Sequence, residues 1–166
     1  HTPEILESIS HFTGNSIDPH FSTHLLPTHR GIIASIYAES ITSEISEIVS
    51  AFDQVYGQDP LIRYGKNYSQ LASLTKIAKT PLTAISFELI GKKLYIFSVI
   101  DNLLKGAASQ AVENLNSVMR WPRDLGLLRQ VHSQHFSDPN LTNPNLLHYS
   151  SASSPHIESL STLLHN

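Results

Sequence analysis

The spacing of apolar and polar positions divides the chain into segments that can be read one at a time. "GIIASIYAES", residues 31–40, strings β-branched and aromatic residues together and predicts a strand. From Thr42 to Tyr56 the apolar residues Ile45, Ile48, Val49, Phe52 and Val55 recur every three or four positions. That period predicts an amphipathic helix with one face in solvent, stopped by Gly57. "TAISFELI" and "KLYIFSVI" flank Gly91-Lys92, and two β-prone runs around a glycine turn predict a hairpin. A further helix is predicted from about Leu103 to Met119, ending before Trp121-Pro122 because the residue ahead of a proline leaves the α region. Its opening, Gly106, Ala107, Ala108 and Ser109, has almost no side chain.

The ends of the chain are patterned differently. Thr2-Pro3-Glu4 predicts a helix start, with a hydroxyl at the N-cap, proline at the first helical position and an acid against the helix dipole. This helix should be short, to about residue 10, and Gly14-Asn15 and Pro19 break the pattern after it. His20 to Leu25 reads as extended and is closed by Pro27. Residues 130–166 hold no Lys or Arg and are crowded with Ser, Asn, His and Pro, which predicts an irregular tail with one helical turn near "ESLSTLL". The expected fold is therefore α+β, a mixed and largely antiparallel sheet covered by helices, over residues 1–128, followed by a polar tail at 129–166.

Composition narrows the function classes. A chain of 166 residues, 40% hydrophobic, can bury one ordinary core. Eleven Lys and Arg stand against fourteen Asp and Glu, for a net charge of −3, and no window gathers a basic patch, so neither nucleic acid nor a membrane surface is an expected partner. Apolar runs such as Leu94–Phe97 fall far short of the roughly 20 residues that cross a bilayer, and a soluble protein is expected. Cysteine is absent, which excludes disulfides, thiolate metal sites and a thiolate nucleophile from this chain. The sequence opens at His1 without a charged region and apolar run behind it, so no secretory signal is read; the expectation is a processed chain or a piece of a longer one.

Candidate chemistry is sparse. His20, His24 and His29 have spacings that could serve a metal on a helix, but Pro19 and Pro27 bracket them in an extended reading, so ordinary surface histidines are expected and no metal site. No glycine-rich dinucleotide fingerprint, phosphate loop or nucleophile elbow occurs, and the chain is not expected to hold a dinucleotide alone. The small residues opening the helix at 103–119 admit two readings. They let another element pack closely, or they expose the helix start to a ligand, with Asp101-Asn102 and Lys105 supplying hydrogen bonds and charge.

"SVIDNLLKGAASQAVENLN" with the following "WPRDLGLL", "HTPEI" at the start and "HLLPTHRGIIASIYA" between them carry a resemblance. In content, order and spacing these blocks resemble the C-terminal substrate and dimerisation domain of the N-acetyl-gamma-glutamyl-phosphate reductases of arginine biosynthesis, over residues 1–128. The resemblance implies a fold like the C-terminal domain of glyceraldehyde-phosphate and semialdehyde dehydrogenases. It also implies a two-part enzyme in which an N-terminal Rossmann domain binds NADP and carries a nucleophilic cysteine. That cysteine forms a thioester with the acyl phosphate, and hydride from the nicotinamide releases the semialdehyde. The half seen here would supply a histidine base, substrate contacts and the subunit interface of a cytoplasmic or organellar homo-oligomer, and would be inactive alone.

Carried onto this sequence, the resemblance implies catalytic roles for His1 as base, or as the neighbour of the base, and Glu4 as its orienting acid. His24 and Arg30 would meet substrate, the arginine because its planar fork binds a carboxylate or phosphate bidentately. Asn102 would reach the nicotinamide carboxamide, with Lys105 and Gly106 close to the cofactor. Two departures stand out: Ser22-Thr23 replaces a Thr-Pro pair before His24, and "IAKTPLTAISFEL" replaces a Gly-rich or Cys-containing segment. A non-catalytic dimerisation module, and a lysine-pathway relative acting on an aminoadipyl phosphate, remain alternatives.

Overall fold

The computed structural model describes residues 1–66 and 72–128. The tail expected at 129–166, including the turn near "ESLSTLL", lies outside the described residues. Helix α1 spans Thr2–Thr13, strand β1 Ile32–Glu39, helix α2 Ile45–Tyr56 and strand β2 Ile62–Gly65. After them come helix α3, Leu74–Ile77, strands β3, Thr83–Ile90, and β4, Lys93–Ile100, a π-helical turn at Leu104–Ala108 and helix α4, Ser109–Val118. The four strands form one sheet in the order β1-β4-β3-β2, with β1 and β3 antiparallel to β4 and β2 parallel to β3. The expected mixed, largely antiparallel sheet is what is found.

The hairpin forms as its sequence requires. Ile90 pairs with Lys93, leaving Gly91-Lys92 as a two-residue loop in which Gly91 takes φ 60, the left-handed first position that a tight hairpin turn asks of a glycine. Helix α2 lays Ile45, Ile48, Val49, Phe52 and Tyr56 over one face of the sheet, against Ile62, Tyr64 and Phe87. Phe52 stacks on Phe87 at 4.5 Å between ring centroids, and the Tyr64 hydroxyl donates to Asp53 Oδ1 at 2.6 Å. Burial and that bond hold the Tyr64 phenol well above its ordinary pKa. On the opposite face Leu61, Ile77, Leu82, Ala84 and Val99 form a second cluster, closed by Leu74, Leu127 and Leu128.

One local expectation is corrected, and two others are filled in. Helix α1 begins one residue earlier than the hydroxyl-cap reading, with His1 at the cap and no side-chain cap bond, and it runs on to a left-handed Gly14. His20 to Leu25 joins no strand. Strand β1 forms where predicted, yet all eight of its residues are exposed, Tyr37 to 67%. As an edge strand it leaves Ile32 and Ile36 uncovered on one face and Ile33 and Tyr37 on the other.

Candidate functional site

The most connected part of the molecule lies where β4 runs into the helix. Asp101 is completely buried, and its carboxylate gathers N–H groups from separate segments. Oδ1 accepts from the backbone of Leu103 at 2.8 Å and Leu104 at 2.9 Å, which caps the helix, while Oδ2 accepts from the backbone of Lys79 at 2.6 Å. Arg30 Nε lies 3.1 Å from the same Oδ2, an ion pair across 71 residues of sequence. Burial alone would raise the Asp101 pKa; the N–H donors of Lys79, Leu104 and Leu103, with the Arg30 guanidinium, outweigh it and hold the carboxyl below the ordinary carboxylate range.

Asn102 completes the junction. Its Oδ1 accepts the Gly31 backbone N–H at 2.8 Å, so neighbouring residues of one segment grip neighbouring residues of another, Asp101 on Arg30 and Asn102 on Gly31. With the oxygen spent inward, the Asn102 amide nitrogen is left as a donor. Gly31 sits at φ 108, and a Cβ built on it would lie 2.1 Å from Leu74 Cδ2. Gly31→Ala should therefore lower stability by about 1–3 kcal/mol, read by urea denaturation, because relaxing the leucine does not relieve the backbone.

The start of the helix is wound as a π turn, Gly106 N–H bonding to the Asp101 carbonyl at 2.9 Å and Ala108 N–H to the Leu103 carbonyl at 3.1 Å. A Cβ on Gly106 would meet only ordinary contacts, at 3.5 Å from the Asp101 carbonyl oxygen and 3.6 Å from Ile100 Cδ1. Gly106, Ala107 and Ala108 are exposed. Of the four small residues, these three are exposed among the described residues while Ser109 is buried, and both readings that sequence left open stand. Lys105 is differently placed: its Nζ is 2.5 Å from Glu113 Oε1, and Glu113 Oε2 takes Arg123 Nε at 2.9 Å. Arg123 goes on to pair with Asp59.

At the N-terminus His1 Nδ1 lies 3.2 Å from Glu4 Oε2, both side chains exposed, and the His1 ring meets Phe21 edge-on at 6.4 Å. His24 is exposed in the irregular segment before β1. Arg30 and Asn102 are brought to one junction, His1 and Glu4 to another, and Lys105 and Gly106 to the helix start. Among the described residues no three His, Asp or Glu side chains gather as metal ligands.

Residues 1–102 match the family model for the semialdehyde dehydrogenase dimerisation domain. The chain belongs to that family. It is 38% identical over 130 residues to the N-acetyl-gamma-glutamyl-phosphate reductase of Streptococcus thermophilus, covering 76% of this chain and 37% of that one. It is also 36% identical over 135 residues to that of Streptococcus gordonii, covering 78% and 38%, and 35% identical over 131 residues to that of Caldicellulosiruptor bescii, covering 77% and 38%. The chain thus spans well under half the length of the curated relatives it matches. The resemblance drawn from "SVIDNLLKGAASQAVENLN" and its companion blocks is borne out, as is the α+β fold it implied.

In this dimerisation domain, Glu113 and Lys79 matter although sequence reading gave them no site role, and Asp101, read there beside Asn102 as a possible ligand contact, is instead spent inside the protein. Glu113 is legible in the sequence only as one glutamate of a helix. Lys79 carries a signal that only the backbone gives, a positive φ of 66. No helix among the described residues is long and apolar enough to cross a membrane.

Proposed function

We propose that this chain is the substrate-binding and dimerisation part of an NADP-dependent reductase that converts N-acetyl-gamma-glutamyl phosphate to the corresponding semialdehyde in arginine biosynthesis, in the cytoplasm or an organellar matrix. The observation that carries the reading is the junction of Arg30-Gly31 with Asp101-Asn102. Asp101 Oδ2 pairs with Arg30 Nε at 3.1 Å as an ion pair without hydrogen-bond geometry, and among the described residues no hydrogen bond or ion pair engages the two terminal nitrogens of Arg30. The side chain is 30% exposed, so a guanidinium fork anchored at its base is open at its tip to an incoming carboxylate or phosphate. Arg30 binds and orients the substrate anion; His24 is the second substrate contact.

The donor set also fits a nicotinamide cofactor held mainly by a preceding cysteine-bearing Rossmann domain. Asn102, with its oxygen fixed on Gly31, offers an N–H to the carboxamide oxygen, and Gly106 with its exposed small neighbours leaves room beside the helix start. When bound, the cofactor supplies the hydride. Lys105, turned onto Glu113, serves that side by fixing the first turn of the helix. His1 acts on the proton of the reacting group, with Glu4 accepting from Nδ1 to set its tautomer. The exposed apolar strand β1 supports a homo-oligomer formed through the sheet.

The test is NADPH consumption by the intact native gene product with N-acetyl-gamma-glutamyl phosphate and with an aminoadipyl phosphate; this chain alone should consume none with either. No turnover of either by the intact product would sink the reading, and preference for the aminoadipyl compound would move it to the lysine pathway. Arg30→Lys should raise KM about tenfold or more, because a point charge cannot replace a bidentate fork.

A further inference from the structure

The turn after α3 breaks a rule of local chemistry. The Ile77 carbonyl accepts the Thr80 N–H at 3.1 Å, and between them Ala78 takes φ −53, ψ 136 and Lys79 takes φ 66. That is a type II turn, whose third residue must adopt positive φ and is ordinarily glycine or asparagine. A lysine there is held against its own backbone preference. A buried carboxylate holds it: the Lys79 N–H donates to Asp101 Oδ2, the oxygen that also meets Arg30 Nε. Both cationic residues are thus tied within 3.1 Å of one buried atom, one by its main chain and one by its guanidinium. The Lys79 residue is exposed, and among the described residues its ammonium has no hydrogen bond or ion pair. One carboxylate against two cations leaves a positive charge unspent at this surface.

We propose that Lys79 is a second anion-binding residue beside Arg30, the two forming one site for a negatively charged group of the substrate, and that Asp101 is the positioning residue that gathers them. The proposal rests on the reading of Arg30 given above and extends it to a residue that the family blocks quoted earlier do not contain. The Lys79 main chain and the Arg30 guanidinium share one carboxylate oxygen, so the lysine side chain starts from beside the arginine, and an ammonium reaching the same anion would add a second positive charge to the one the guanidinium offers.

The test uses the intact native protein and two separate probes, N-acetylglutamate for the carboxylate and inorganic phosphate for the phosphoryl group, with dissociation constants read by calorimetry. Lys79→Gly suits the turn, so its urea midpoint should rise above that of the parent, while affinity for one probe falls about tenfold. Lys79→Arg should restore most of that affinity. Loss confined to phosphate assigns the site to the phosphoryl group, and loss confined to N-acetylglutamate assigns it to the carboxylate. A Lys79→Gly protein that binds both probes as the parent does overturns the proposal, as does a parent that binds neither. Turnover of the acyl phosphate is measured alongside: its absence in a parent that binds a probe through Lys79 removes the assigned reaction and leaves the anion site standing.

Discussion

Replacing Asp101 by alanine should cost about 4 kcal/mol or more of folding stability, the larger share of what a domain of this size has to lose. The carboxylate is wholly buried, and deleting it strands the N–H groups of Lys79, Leu103 and Leu104 and leaves the Arg30 guanidinium without its counter-charge. Each buried donor left unmet costs about 1–3 kcal/mol, and those costs overlap because one relaxation serves several of them. Asp101→Asn keeps one oxygen for the helix cap but turns a donor toward Lys79 and Arg30, so an intermediate loss is expected. A pH series gives an independent check. The Asp101 pKa lies below its unfolded value, so the stabilisation is complete above the unfolded value and is lost as pH falls through the folded one. The gap in stability between the parent and Asp101→Asn, read by urea denaturation, should therefore be widest at neutral pH and shrink in acid. A gap that stays constant into the acid range would mean that the carboxylate charge contributes nothing.

Why the buried role of that residue is not legible in the sequence while the hairpin is comes down to range. The strands at 83–90 and 93–100 declare themselves locally, through alternation, β-branched residues and a glycine that takes the left-handed turn position. Helix α2 is equally legible, since the period of Ile45, Ile48, Val49 and Phe52 is the face that packs on the sheet. Strand β2 is only Ile62–Gly65 and gains its place by pairing in parallel with β3, a partner that no local pattern announces. Strand β1 shows the converse case. Its apolar residues predicted a strand correctly, but burial did not follow, because nothing among the described residues covers that end of the sheet. At the site, the family blocks pointed to Arg30 and Asn102 separately. That Asp101 and Asn102 grip Arg30 and Gly31 is a long-range fact of the sheet register, in which Ile32 lies opposite Ile100 and so brings the residues just before β1 against those just after β4.

Glu113→Ala should cost about 3–5 kcal/mol, and the distribution of that cost identifies what Lys105 is for. Glu113 has a side chain 2% exposed and takes Lys105 on one oxygen and Arg123 on the other. Removing the carboxylate affects the two cations unequally. Arg123 is nearly half exposed and keeps Asp59, so water and that acid can take it over. The Lys105 side chain is 9% exposed and has no such exit, and an unpaired ammonium at that depth carries most of the penalty. Adding Lys105→Met to Glu113→Ala should then recover a good part of the loss, since an apolar chain of similar length replaces the stranded charge. If Lys105 serves the cofactor side by fixing the helix start, Lys105→Met alone should lower the urea midpoint and weaken nucleotide binding to the intact protein only as far as that turn loosens. A large loss of NADPH affinity in Lys105→Met with the urea midpoint unchanged would instead mean that the ammonium leaves Glu113 to meet the cofactor itself.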